Sequence, residues 1–372
     1  MKALRFGRAA AVISVAALAL TACGSDNATN QPEPEGGATS SAAEVTGTLT
    51  GAGASSQNAA MTAWQAGFQA MQSGANIQYS PDGSGAGRDA FLAAGVQFAG
   101  SDAYLDDEEY EASKEVCGPD GAINIPAYVS PIAVAFNLPG IDSLNLDAPT
   151  IASIFRGEIP NWNDDAIAAQ NEGVELPDTP ITVVHRADES GTTENFTEYL
   201  AAAAPEVWAD EASGDWPAEI VAENAQGTNG VVSTTTATEG AITYTDASAV
   251  GDLGQALVKV GEEYVELSPE AASRAVEVAT PVDEGRAEGD MSLDLERDTT
   301  ESGAYPIVLI SYHIYCTSYE DQETVDLVKA FGSYAISEQG QEDAASSAGN
   351  APISEALREQ AQQAIDSIAV AS

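Results

Sequence analysis

Val183-Val184-His185-Arg186-Ala187-Asp188-Glu189-Ser190-Gly191-Thr192-Thr193 reads as an apolar strand running straight into a helix. An arginine, a carboxylate, hydroxyl residues and a glycine fall between the two, and Phe196, Tyr199 and Leu200 then share one helical face. The first amides of a helix have no partner inside it, and its dipole favours negative charge there, so such a junction is an anion cradle. Gly191 lets the backbone approach a ligand closely. The Arg186 guanidinium adds a planar, two-pronged grip on an oxyanion.

The same pattern recurs along the chain. Strands are expected near 47–49, 76–79, 97–99, 181–185, 241–244 and 307–315, and helices near 58–71, 87–94, 193–203, 323–337 and 354–368. Their alternation predicts parallel βαβ units and an α/β class. In open α/β sheets ligands bind beyond the carboxyl ends of the strands. Four loops in that position share one chemistry: Gly51-Ala52-Gly53-Ala54-Ser55-Ser56, Asp82-Gly83-Ser84-Gly85-Ala86-Gly87, Gly100-Ser101-Asp102-Ala103 and the stretch quoted above. A single Gly/Ser loop is a turn by default. Four, each read as strand-to-helix, point to convergence on one anion.

Residues 1–22 read as a secretory signal: Lys2, Arg5 and Arg8 make a basic start and residues 9–20 an apolar run too short for a membrane span. Leu20-Thr21-Ala22-Cys23 resembles the lipobox of bacterial lipoproteins, which implies that Cys23 carries a lipid anchor, palmitate included. Residues 23–46 would then be the lipidated N-terminus and a flexible tether, since a Pro, Gly, Ser, Thr, Ala and Glu composition cannot bury a core. The full chain has a net charge of −45, and losing the three basic residues of the leader makes it three units more negative. That excludes a nucleic-acid surface and docking on anionic lipid by charge. It does not exclude an anion ligand, because a local arginine and amide dipoles act at contact distance while distant carboxylates are screened within roughly 8–10 Å. Cys117 and Cys316 remain after Cys23. In an exported chain they read as a disulfide, the alternative being two buried thiols.

These residues together resemble the phosphate-binding lipoprotein (PstS type) of the Pst ABC transporter, from about residue 47 to the C-terminus. Gly51-Ala52-Gly53-Ala54-Ser55 is similar to the first family loop, Gly83-Ser84-Gly85-Ala86-Gly87 to the second, Ser101-Asp102-Ala103-Tyr104-Leu105 to the third, and His185–Thr192 to the core phosphate motif. Residues 154–164, with Trp162, resemble a family segment outside the ligand contacts, and Trp162 is expected to pack. The resemblance implies a two-lobe periplasmic-binding-protein fold of class II type, with phosphate in the cleft between lobes and two crossover hinge segments. Residues 47–131 with 306–372 would form lobe one and residues 132–305 lobe two, with crossings near Ser130 and Tyr305. Carried over by position, the phosphate contacts are Ser55, Ser56, Ser84, Asp102, Arg186, Ser190, Gly191 and Thr192, and Asp188 orients Arg186. No metal or cofactor is implied. The partners would be inorganic phosphate and the permease of an ABC importer, the protein acting as a monomer anchored to the outer face of the cytoplasmic membrane. Two departures stand out. Ser56 replaces an aromatic residue, which predicts a looser cleft wall, and Glu189 replaces a glycine, which predicts that its side chain points outward.

The chemistry suits phosphate. At neutral pH phosphate keeps a proton and sulfate keeps none, so a buried Asp102 carboxylate can accept from P–OH and must repel a fully deprotonated anion such as sulfate or molybdate. A simpler role for Asp102 is the N-cap of a helix over 105–114. A serine hydrolase needs a base on its nucleophile. His185, Asp188 and Ser190 are close in sequence, but no Gly-x-Ser-x-Gly elbow occurs and His313 sits in an apolar strand as a core residue. No P-loop and no metal-ligand cluster is present in the sequence, and a scaffold protein would not need four donor loops.

Overall fold

The structure, a computed structural model, describes residues 44–282 and 285–371. The leader, Cys23 and nearly all of the tether lie outside the described residues. The first half opens with β1 (Gly47–Gly53), α1 (Asn58–Met71), β2 (Ala75–Ser80), α2 (Ser84–Leu92), β3 (Phe98–Ser101) and α3 (Asp107–Cys117). β1 lies between β2 and β3, parallel to both. α1 buries Met61, Trp64 and Phe68 along one stripe, and the Trp64 indole donates to Gly340 O in the helix Glu338–Ala348. Phe68 packs on Phe331 and Tyr334, so α1 is anchored to the helical segments 322–348.

β4 (Ala122–Phe136) holds the molecule together. All fifteen residues are buried. Residues 122–131 pair antiparallel with the strand Val308–Cys316, which in turn pairs antiparallel with β3. From Ile132 onward β4 pairs instead with β8 (Ala241–Asp246). The partner therefore changes between Pro131 and Ile132. The C-terminal strand starts at the same level, where the Ile132 amide donates to Ile307 O.

Beyond this point the second half contains β5 (Ser143–Leu146), α4 (Ala148–Phe155), α5 (Asp165–Ala168), β6 (Thr182–Arg186), α6 (Gly191–Ala203), β7 (Glu223–Ala225) and α7 (Gly227–Ala237), with β9 (Gly254–Val260) following β8. β6 lies parallel between β8 and β7. The sheet runs β2-β1-β3, then the strand Val308–Cys316, then β4-β8-β6-β7. The fold is a mixed α/β, two-lobe periplasmic-binding architecture. The expected parallel βαβ units form the two ends of this order, and three successive antiparallel pairings join them in the middle.

The 15-residue β4 was not among the expected strands because Pro126 and Pro131 interrupt it, and proline is a poor central-strand residue. Both sit where the ladder is irregular: Pro126 beside the register shift opposite Ser311 and Tyr312, Pro131 where the pairing partner changes. Residues 286–294 fold back on the first half, with Arg286 donating to Leu105 O and Asp290 accepting from the Asn124 amide.

Cys117 and Cys316 form a disulfide that ties the end of α3 to the end of the C-terminal strand, across 199 residues. His313 packs among Trp64, Phe98 and Phe331, and burial pushes its pKa down to about 3, so it stays neutral. Trp162 is fully buried against Phe136, with its indole N–H on Gly240 O, a packing role as expected.

Candidate functional site

Strand-to-helix turns from both halves meet at one place. The Ser55 hydroxyl, just ahead of α1, lies 2.9 Å from the Thr228 hydroxyl at the start of α7. The first turn of α2 faces the turn into α6. A Cβ added to Gly191 would come within 2.7 Å of the Asp102 Cβ and 2.8 Å of the Ser84 hydroxyl, so only glycine allows this approach. Four helix starts thus converge, those of α1, α2, α6 and α7, and each presents first-turn amides that lack intrahelical acceptors.

The structure brings Ser55, Ser56, Ser84, Asp102, Arg186, Ser190, Gly191 and Thr192 into this one region, and all but Ser55 are buried. Their bonding differs from what the sequence suggests. The Ser55 oxygen accepts from the Thr228 amide (3.0 Å), Ser84 from the Asp102 amide (3.2 Å) and Ser190 from the Thr193 amide (3.3 Å). Each of these hydroxyls still has its own proton to donate, and of the three Ser190 is the helix N-cap.

Asp102 is the chemical centre. Ser56 and Thr192 donate to its Oδ2 at 2.5 and 3.2 Å, and Ser311 donates to Oδ1 at 2.6 Å. A carboxylate offers about four lone-pair positions. Three are taken, which leaves one on Oδ1. Burial pushes the Asp102 carboxyl above the usual range, against the hydrogen bonds of Ser311 and Ser56 and the charge of Arg186. The expected alternative role as a helix cap falls away. α3 begins at Asp107, and its cap is Asp106, in a reciprocal capping box with Glu109. Asp102 is therefore released from that duty, and the third glycine-serine loop is not a helix start.

The predicted loosening at Ser56 does not occur. Its hydroxyl reaches the Asp102 carboxylate, and the residue is 2% exposed. The Glu189 side chain is 43% exposed, but it has a partner: its carboxylate meets the Arg88 guanidinium of α2 at 2.8 Å.

Arg186 ends β6 with its side chain 2% exposed and grips Asp188 through Nε and Nη2. Asp188 also accepts from the Gly227 amide at 2.8 Å. Burial acts to raise the Asp188 pKa, but the hydrogen bonds and charge of Arg186 hold it below the usual carboxylate range. His185 bonds its own neighbour's carbonyl, Arg186 O, at 2.7 Å and stacks on Trp216. Ser190 is engaged as the cap of α6, so no His–Ser pair exists.

Three participants were missed in the sequence. Ser311 lies inside an apolar strand that gave no functional signal. Thr228 follows Gln226-Gly227, another polar and glycine-containing strand-to-helix turn, but β7 is only three residues long and carries no strand signature. Asn195 of α6 is a third link, donating to Asp102 O and Gly191 O at 2.7 Å each. Beside Asp102 a cavity of about 620 Å³ opens, with Asp106, Glu194, Glu198 and Asp294 on its walls against a single cation, Arg297.

A family profile described as a PBP superfamily domain matches residues 38–339. Among curated proteins, the phosphate-binding protein PstS 3 of Mycobacterium leprae is 36% identical, over 99% of this chain and 100% of its own. The phosphate-binding protein PstS 2 of Mycobacterium tuberculosis is 36% identical, over 90% of this chain and 92% of its own. Among solved structures, a phosphate-binding protein from Stenotrophomonas maltophilia superposes with a TM-score of 0.65 at 23% identity, covering 85% of this chain and 93% of that one.

Proposed function

Because this chain belongs to the PstS family of phosphate-binding proteins, within the PBP superfamily, we propose that it binds inorganic phosphate between its halves and delivers it to the permease of an ABC importer. The observation that carries the reading is Asp102, a buried carboxylate with one acceptor position left among the converging helix starts. A phosphate oxygen that keeps its proton donates there. The other oxygens accept hydrogen bonds from the Ser55, Ser84 and Ser190 hydroxyls, from the amides of Ser56, Gly191 and Thr192, and from Arg186 held in place by Asp188. Ser56 and Thr192 thus serve phosphate through their backbones while their hydroxyls hold Asp102. A bare dianion such as sulfate or molybdate would set an oxygen lone pair against Asp102.

In this reading residues 47–131 and 306–372 form one lobe and 132–305 the other, with residues 286–294 laid across onto the first. The two strand passages near Pro131 and Ile307 act as the hinge, and closure around phosphate is what the permease distinguishes. The protein works outside the cytoplasm as a lipid-anchored monomer and performs no covalent chemistry. Calorimetric titration of the mature chain, freed of endogenous anion, tests this: phosphate binds tightly, and sulfate and molybdate give no saturable heat. Tighter binding of sulfate or molybdate than of phosphate would replace the reading with that of another oxyanion carrier.

A further inference from the structure

Arg88 is a second buried cation near the cleft, and the proposed phosphate contacts do not use it. It sits one turn into α2, four residues after Ser84, with its side chain 7% exposed. Two of its contacts stay within the first half: Nε donates to Glu109 at 2.7 Å and Nη1 to Ser101 Oγ at 3.2 Å. These fix the plane of the guanidinium. The remaining arm, Nη2, crosses to the second half and donates to Glu189 Oε1 at 2.8 Å. Glu189 stands between Asp188 and Ser190, so its backbone is part of the turn that holds Arg186 and starts α6.

The halves meet here at a distance only glycine permits. The Gly85 amide points at Glu189 O (3.4 Å), and a Cβ on Gly85 would fall 2.3 Å from the Glu189 side chain. A Cβ on Gly83 would fall 2.6 Å from Asp188 Oδ2. Because Arg88 is already held by Glu109 and Ser101, little side-chain freedom is lost when it meets Glu189. The pair is half-exposed on the Glu189 side, at the rim.

We propose that Arg88 and Glu189 form a clasp across the mouth of the cleft, outside the ligand's own contacts, that slows opening and so lengthens the stay of the bound anion. The clasp rests on the phosphate-binding reading for its ligand. It forms whenever the halves close, with or without the anion, so it favours the closed state and is felt mainly on release. Glu189 also has a sign consistent with this position: a negative charge beside an anion site is tolerated because Arg88 neutralises it from the opposite half.

The test compares phosphate release by stopped flow in the wild-type mature chain, Glu189→Gln and Glu189→Gly. Arg88 is left alone, since its contacts with Glu109 and Ser101 belong to the packing of the first half. Both variants should release phosphate about fivefold faster, the size of one partly screened charge-assisted hydrogen bond, with capture rates within about twofold of wild type. Raising the salt concentration should speed release in the wild type and narrow its difference from the variants. Release rates within about twofold of wild type in both variants overturn the clasp, as does a loss of thermal stability without faster release. Small-angle scattering without phosphate adds a ligand-free readout: the variants should show a larger radius of gyration. If the wild type binds no phosphate, the functional reading fails on that result alone, and equal radii would then overturn the clasp separately.

Discussion

The two halves build their walls from the same part and put opposite charges on it. Both present polar residues at strand-to-helix turns, Ser55 and Ser84 on one side, Ser190, Gly191 and Thr192 on the other, so both offer amides and hydroxyls. The second half adds Arg186, already paired with Asp188. The first adds Asp102, a buried carboxylate held by three hydroxyls, one of them from across the cleft. Arg186, Asp188 and Asp102 together do not make a positive site. Attraction in the proposed complex therefore rests on dipoles and the direction of one guanidinium, not on net charge, which fits a chain at −45. In the proposed complex the labour is divided: one half supplies grip, the other supplies discrimination, and closure brings the two together.

Breaking the second half should have the largest effect. Arg186→Met removes a buried charge and leaves Asp188 with only its amide partners, and phosphate affinity should fall about 10²–10³-fold in calorimetry, the few kcal/mol typical of losing one member of a buried charged pair.

A second buried carboxylate sharpens the comparison. Asp246, at the end of β8, is fully buried like Asp102, accepts from the Ser248 amide at 2.9 Å, and is pushed up to about 6 chiefly by burial. A carboxyl with a raised folded-state pKa contributes its full stability at pH values below the unfolded one, near 4, and loses it as pH rises through about 6. Asp246→Asn should accordingly gain stability relative to wild type between pH 4 and pH 8, by on the order of 2 kcal/mol in denaturant titrations. An equal difference at both pH values would contradict the burial account.

The smallest change expected is at Ser56. Ser56→Ala removes one of the three hydroxyls on Asp102, and phosphate affinity should drop about fivefold, matching one net hydrogen bond. An unchanged affinity would mean that the Ser56 hydroxyl does no more than fill space.

Much of the site was legible in the sequence because each turn carries its own chemistry locally: glycine where backbones touch, serine at a helix start, arginine at a strand end. α1 was expected at 58–71 and forms Asn58–Met71. What could not be read is what depends on distant residues. Ser311 looks like any small residue in an apolar strand until the Val308–Cys316 strand is placed beside β3, which ends at Asp102's doorstep. β4 was hidden because two prolines only make sense once its bulge and its change of partner are known. Glu189 could be judged unusual from sequence, but not that Arg88, about a hundred residues earlier, answers it.

The central claim is that Asp102 confers selectivity while the other half confers grip. Calorimetric titration of Asp102→Asn with phosphate and sulfate, beside the wild type, addresses it directly. A site that loses its acceptor carboxylate should lose most of a discrimination that such buried polar groups can hold at about 10⁴–10⁵-fold. The account predicts measurable sulfate binding by Asp102→Asn and a phosphate preference at least about a hundredfold smaller than in the wild type. A variant that still rejects sulfate as completely as the wild type would contradict it.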